Sequence, residues 1–197
     1  MSITLTQDKV EGLFYHMCAK FDATIVQSKD FLQFVPQTDE IEMFIKMLDV
    51  AGIDIADFLD RYAFTFGRFI VVPYNPGDFN KWFSLDGQAI NLCHELIHRL
   101  QWRDDGACFA IYYTTSRSKR AHYEAEAMHA DWMLYYLFTG RLPSFNKISK
   151  MSGIPYLVRE GDVQTTKQHL KIFGDGVLRG TVKNEVVDEA VRYLLED

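Results

Sequence analysis

The stretch His94-Glu95-Leu96-Ile97-His98 spells H-E-x-x-H, and the residues around it decide how the rest of the chain is read. From Asp86 to about Trp102, Ala89, Ile90, Cys93, Leu96, Ile97 and Leu100 place apolar side chains over most of a helix circumference. The segment is therefore predicted to be a largely buried helix with Asp86 as its N-cap. Its polar residues, Asn91, His94, Glu95, His98 and Gln101, fall along one side. In a helix a spacing of four returns to nearly the same face, which brings both imidazoles to a single metal ion and sets Glu95 beside its open position. Burying that set without a cation would be costly, and the ion expected is zinc, one per chain.

A catalytic zinc site takes three protein ligands and leaves the fourth position to water, so a third ligand is required. The candidate stretch is His122-Tyr123-Glu124-Ala125-Glu126-Ala127-Met128-His129-Ala130-Asp131, within a predicted helix from about Lys119 to Phe138 that stops at Thr139-Gly140 with Pro143 close behind. Glu124 and Glu126 lie two residues apart and point in different directions, so only one of them can face the metal. Asp131 either accepts the spare N–H of a ligand histidine or pairs with a nearby Arg or Lys.

H-E-L-I-H followed by E-A-E-A resembles the gluzincin type of zinc metallopeptidase, in which a Glu from a downstream helix, often in an E-x-x-A setting, completes the site. The resemblance maps Glu124 and Ala127 onto E-x-x-A, the small Ala letting two helices approach. It implies His94, His98 and Glu124 as the metal ligands, with Glu126 exposed or paired with Arg120 or His122, and His122 and His129 at the surface or rim. Many gluzincins carry an acidic or amide residue four positions after the ligand Glu; here Met128 stands there. The stretch from Phe66 to about Leu137 also resembles small phage or bacterial zincin-like proteins. The implied activity is peptide-bond hydrolysis by a zinc-bound water, with Glu95 as general base passing the proton to the leaving amine.

The implied fold is α+β and zincin-like, predominantly helical with a small sheet next to the active-site helix. The 197 residues, 48% hydrophobic and 14% aromatic, suit one domain over residues 1–197 with its catalytic core at about 66–140. Outside the core, helices are predicted at Gln7–Lys20, near Asp39–Val50 and Ile53–Tyr62, and at about Asn184–Leu195. Strands are predicted at Ala23–Val26 and Phe66–Tyr74, the latter placed where zincins hold an extended substrate along an edge strand. Phe109–Tyr113 reads as a short strand or loop, and Gly161, Gly174, Gly176 and Gly180 read as turns. The stretch from Leu142 onward matches no motif.

A formal charge of -6 argues against nucleic acid or an anionic membrane as partner, leaving a protein or peptide substrate. No segment reads as a signal peptide or a membrane span, so a cytoplasmic protein is expected. Cys18, Cys93 and Cys108 lack paired spacing and suggest reduced thiols. Tyr112, Tyr113 and Tyr123 are candidate donors to an oxyanion, none of them assigned. The cluster Arg117-Ser118-Lys119-Arg120 reads either as a contact for an acidic substrate or as a solvated loop with Arg120 paired to Glu124 or Glu126. Trp82, Phe83, Trp102, Trp132, Tyr135 and Tyr136 read as core packing rather than a specificity pocket.

Two other readings compete. One is a catalytically silent zincin-like module that binds a partner protein and uses the metal for stability. The intact Glu95 argues against it, because a purely structural site needs no general base. The other is a metal-free interaction protein with an accidental motif.

Overall fold

The computed structural model describes residues 3–34, 38–50, 52–145 and 158–196. In chain order the elements are α1 (Gln7–Lys20), β1 (Thr24–Gln27), a 3-10 turn (Ser28–Asp30), the single-turn α2 (Phe31–Phe34), α3 (Asp39–Val50), α4 (Ile55–Arg61), β2 (Phe64–Phe66), β3 (Phe69–Val72), α5 (Leu85–Asp105), α6 (Ala107–Thr115), α7 (Arg117–Thr139), α8 (Glu160–Leu178) and α9 (Glu185–Leu195). This is an α+β protein in which helices dominate and one small sheet is present among the described residues.

The sheet runs β1-β3-β2, with β1 parallel to β3 and β2 antiparallel to it. Strand β3 is central and buried on both faces. Ile70 and Val72 point into the main core with α1 and α5, and Val71 points to a second cluster with Phe31, Ile41 and Phe66. The single strand expected over Phe66–Tyr74 is instead a hairpin with register Phe66↔Phe69. Gly67 at the first loop position takes φ 61° and Arg68 does not, the pattern of a II′ turn.

Helix α5, which carries the motif, begins two residues earlier than predicted. Ser84 is its N-cap, accepting the Gly87 amide at 3.4 Å, and Asp86 sits in the first turn. Gln88, wholly buried on α5, accepts from the Gly77 amide at 2.9 Å and donates to the Asp78 carbonyl at 2.7 Å, which ties the preceding loop to the helix. That loop passes so close to α1 that a Cβ at Gly77 (φ 85°) would lie 2.6 Å from the Gln7 carbonyl. On the side away from the motif, Arg99 donates to the Asp22 carbonyl at 3.1 Å and its carboxylate at 3.0 Å, fixing the turn between α1 and β1.

Phe109–Tyr113 is neither strand nor loop but lies within α6. Gly106 (φ 58°) redirects the chain after α5, and the Arg120 guanidinium closes the far end of α6 by donating to the Tyr113 and Thr114 carbonyls at 2.6 and 2.8 Å. Arg120 is thus buried on α7 rather than part of a solvated loop. Gly161, Gly174 and Gly176 lie inside α8, and Gly180 alone of that group is a turn with φ 63°. Helix α7 ends at Gly140, which is left-handed and donates to the Tyr136 carbonyl.

The C-terminal part belongs to the body of the fold, its residues 146–157 lying outside those described. Helix α8 packs on α7 through Val163 and Leu170 against Met128 and Trp132. Helix α9, capped by Asn184, buries Val186, Val187, Ala190 and Leu194 in the core shared with α1, α5 and α7. His16 on α1 meets Glu189 on α9 at 2.6 Å, and its ring stacks on Tyr193. No described helix is long and apolar enough to cross a membrane.

Candidate metal centre

His94 and His98 on α5 and Glu124 on α7 converge, with donor atoms within 4.8 Å of one another and all three side chains buried. Helices α5 and α7 pack closely through small residues, Ala127 and Ala130 being fully buried at the core. Glu124 Oε2 lies 3.6 Å from His94 Nε2, and Oε1 lies 3.3 Å from His98 Nε2. With bonds of about 2.0–2.2 Å, the donors around a tetrahedral zinc sit about 3.3–3.5 Å apart, so each imidazole stands from the carboxylate at about the separation such an ion requires.

The remaining nitrogen of each imidazole is held. His94 Nδ1 is 3.0 Å from Asp131 Oδ1, and His98 Nδ1 is 2.7 Å from Gln101 Oε1. The Gln101 amide group donates to the Tyr123 carbonyl and to Glu126 Oε2, both acceptors, so its oxygen must face His98. Each Nδ1 therefore donates, and Nε2 of each ring, facing Glu124, is the nitrogen a metal would take in place of a proton. Asp131 takes the supporting place left open by Met128. Glu126, the rival ligand, points away from the group and is also met by His122 at 3.3 Å.

Glu124 is held asymmetrically. The Tyr113 hydroxyl donates to Oε1 at 2.5 Å, whereas Oε2 is buried with no hydrogen-bond partner among the described residues. Oε2 lies 3.6 Å from His94 Nε2, so this carboxylate oxygen is free to serve a cation shared with the imidazole. Glu95 is also buried here, so three carboxylates, Glu95, Glu124 and Asp131, stand around the two imidazoles.

The proton affinities reflect these neighbours. Burial by itself pushes His94 down, but Asp131 and Glu124 outweigh it and raise it to about 10. His98 is likewise lowered by burial and raised more by Glu124. Burial raises Glu124, yet the two imidazoles hold it well below the usual carboxylate range. Glu95 moves upward because burial outweighs the two histidines and the Thr65 hydroxyl. That hydroxyl, on β2, lies 2.9 Å from Glu95 Oε2 and 2.8 Å from the Glu95 carbonyl, to one of which it donates at a time.

A cavity of about 90 Å³ opens onto His94, Glu95, His98 and Glu124. Its other walls come from α3 and α4 (Met47, Phe58), β2 (Phe64, Phe66), α5 (Trp102) and α6 (Phe109). Several of these precede residue 66. Trp102, expected as plain core packing, stands between Phe66 and Phe109 in this wall. Trp82 departs from that expectation in the other direction, being largely exposed in the loop before α5.

The remaining candidates disperse. Asn91, in the polar stripe, accepts from the Tyr74 hydroxyl at 2.9 Å and stands apart from the ligand group. Tyr123 donates to Asp105, and the ring of exposed Tyr112 lies under Lys119, so of the three tyrosines Tyr113 alone meets the group. Ser118 donates to Asp162 on α8. The His129 ring stacks on Phe173 beside His169. Sequence reasoning gave Gln101 no role, although its place three residues after His98, on the same stripe, was the available sign. Thr65 carried no sign, since it is joined to Glu95 only by the fold. Compared with family models, curated proteins and solved structures, the chain matches none of them.

Proposed function

We propose that the protein is a zinc-dependent metallopeptidase of zincin-like fold, with His94, His98 and Glu124 as metal ligands and Glu95 as general base. The observation that carries this reading is the buried Glu124 carboxylate, its Oε2 3.6 Å from His94 Nε2 and its Oε1 3.3 Å from His98 Nε2, with both rings held at Nδ1 and Glu95 one residue from His94. A structural zinc site closes its fourth position with another protein ligand. The metal-competent group of the described residues has three members, and beside it stands a carboxylate with raised proton affinity.

A bound zinc ion would supply Lewis acidity, bringing the pKa of its water toward neutrality. Glu95 is set to take a proton from the attacking water, and the burial that raises its pKa suits it to hold that proton and return it to the departing amine. Thr65 aims the carboxylate through Oε2. Asp131 and Gln101 hold the imidazoles, and Tyr113 holds Glu124. Strand β2 is an edge of the sheet. Because Phe66 and Phe69 flank a two-residue loop and exchange hydrogen bonds, Thr65 directs its own N–H and C=O to the free edge, where an extended peptide can pair.

The test is elemental analysis of the wild type, Glu124→Ala and Glu126→Ala, purified in parallel without chelator, followed by peptide-library cleavage with the wild type and Glu95→Gln. One zinc per wild-type chain, lost in Glu124→Ala and kept in Glu126→Ala, with cleavage that Glu95→Gln abolishes while keeping metal and fold, is the expected result. A wild type that stays metal-free after zinc is resupplied would sink the reading. Zinc held equally by wild type and Glu95→Gln, with no cleavage by either, would favour the silent binding module.

A further inference from the structure

We propose that His129 on α7 and His169 on α8 form a second metal site, which takes a borderline divalent ion such as zinc, nickel or copper and ties the two helices together. The site shares no residue with the group of His94, His98 and Glu124 and does not depend on the peptidase reading. Its two ring centroids lie 5.0 Å apart at an interplanar angle of 72°, nearly the 4.9 Å and 79° of the His94 and His98 pair. Nε2 of His129 is buried and has no hydrogen-bond partner among the described residues. Phe173 on α8 lies flat against the His129 ring, at 3.8 Å and 6°, which holds that nitrogen in place. A buried nitrogen without a partner costs stability, and an ion shared with the neighbouring imidazole would remove that cost.

The surroundings suit a metal better than a proton. Burial first, then His169 and His122, hold the His129 pKa down to about 4, and no carboxylate is among those influences. The ring is therefore neutral at ordinary pH, the form in which imidazole binds a metal. His169 is exposed, so an ion and the waters that complete its shell reach the pair from solvent. Two imidazoles select zinc, nickel or copper, because magnesium and calcium prefer oxygen donors. His122, seven residues before His129, lies about 10 Å away along the helix, too far to share the ion. It meets Glu126 at 3.3 Å, and Glu126 in turn accepts from Gln101. With an ion in place, α8 is pinned to the helix that carries Glu124 and Asp131.

The experiment is equilibrium dialysis of the full chain against buffered zinc, with bound metal read by elemental analysis, for the wild type, His169→Ala and His129→Phe. Phenylalanine keeps the stack on Phe173, and His169 is exposed, so both variants are expected to retain the fold, as circular dichroism checks. His169→Ala alone decides the matter if His129→Phe does not fold. The wild type should bind one zinc more than either variant, and each single substitution should remove that whole equivalent, because both nitrogens hold one ion. Held by two protein donors rather than three, this ion should wash out of protein dialysed without zinc, and calcium should not displace it. Equal zinc content in the wild type and His169→Ala would overturn the site. So would the loss of only part of an equivalent in each variant, the mark of independent surface imidazoles, or an extra zinc that His122→Ala removes and His169→Ala keeps. Because the wild type is compared with variants outside the first metal group, the outcome stands whether or not that group holds zinc.

Discussion

Single residues outside the ligand group, Asp131 for His94 and Gln101 for His98, hold the Nδ1 proton of each ring and so leave Nε2 as the nitrogen a metal would take. Replacing Asp131 by Asn is expected to weaken zinc binding about 10–100-fold, measured by competition with a chromogenic chelator, with the fold intact by circular dichroism. His129 gives a second residue-scale prediction. Burial first, then the neighbouring His169 and His122, lowers its pKa to about 4. Its folded pKa lies below the unfolded value of about 6.5, so between those limits the unfolded chain binds more protons. Its neutral ring should therefore favour the folded state fully above pH 6.5 and progressively less as pH falls toward 4. Thermal melts of zinc-free protein should show that slope reduced in His129→Phe, and unchanged slopes would refute the assignment. His94, Glu95 and His98 were legible in the sequence because helical periodicity alone aligns them. Glu124 over Glu126 came from a resemblance, and Gln101 and Thr65 went unread because their contacts depend on how separate elements pack.

Helices with periodic faces were read nearly to the residue, α1 and α3 among them. Elements shaped by their neighbours were not. The β2–β3 hairpin was hidden because β3 is apolar on both faces, which removes the alternation that would have marked two strands; Gly67 was the remaining sign. Helix α6 has strand-like composition in Phe109, Ile111, Tyr112 and Tyr113, and part of its stabilisation comes from Arg120, a residue of the next helix. Glycines within α8 were taken for turns, yet Gly174 and Gly176 are there for proximity. A Cβ at Gly174 would meet Trp132 Cζ3 at 2.8 Å and Leu142 Cδ1 at 3.0 Å. The gain in helix propensity from Gly174→Ala, up to about 1 kcal/mol, is outweighed by overpacking that costs about 1–3 kcal/mol. Gly161, with nothing within 4 Å of its would-be Cβ, should instead gain a few tenths of a kcal/mol as Ala, roughly the low end for such changes. Urea denaturation of both variants should give opposite signs.

At the scale of the whole molecule, a cation that binds only the folded chain adds about 2.7 kcal/mol at a hundredfold excess over its Kd. For a chain of this length that corresponds to a rise of about 5–11 °C in Tm on zinc loading, reversed by chelation, as scanning calorimetry can measure. The individual helices and strands were read from pattern, and the predominantly helical fold with a small sheet was implied by the resemblance. The cavity did not, because it is assembled from α3, α4, β2, α5 and α6, and no local pattern announces that five elements will face one space. The seam between α1 and α9, where His16 meets Glu189, bears on how the chain is made. Residues 7–20 leave the ribosome long before residues 185–195. At about 5–20 residues per second, α1 waits on the order of 10–30 s for the helix that covers it. During that interval the apolar seam is open to chaperones and proteases, so a nascent chain stalled before α9 is the species most exposed to misassembly.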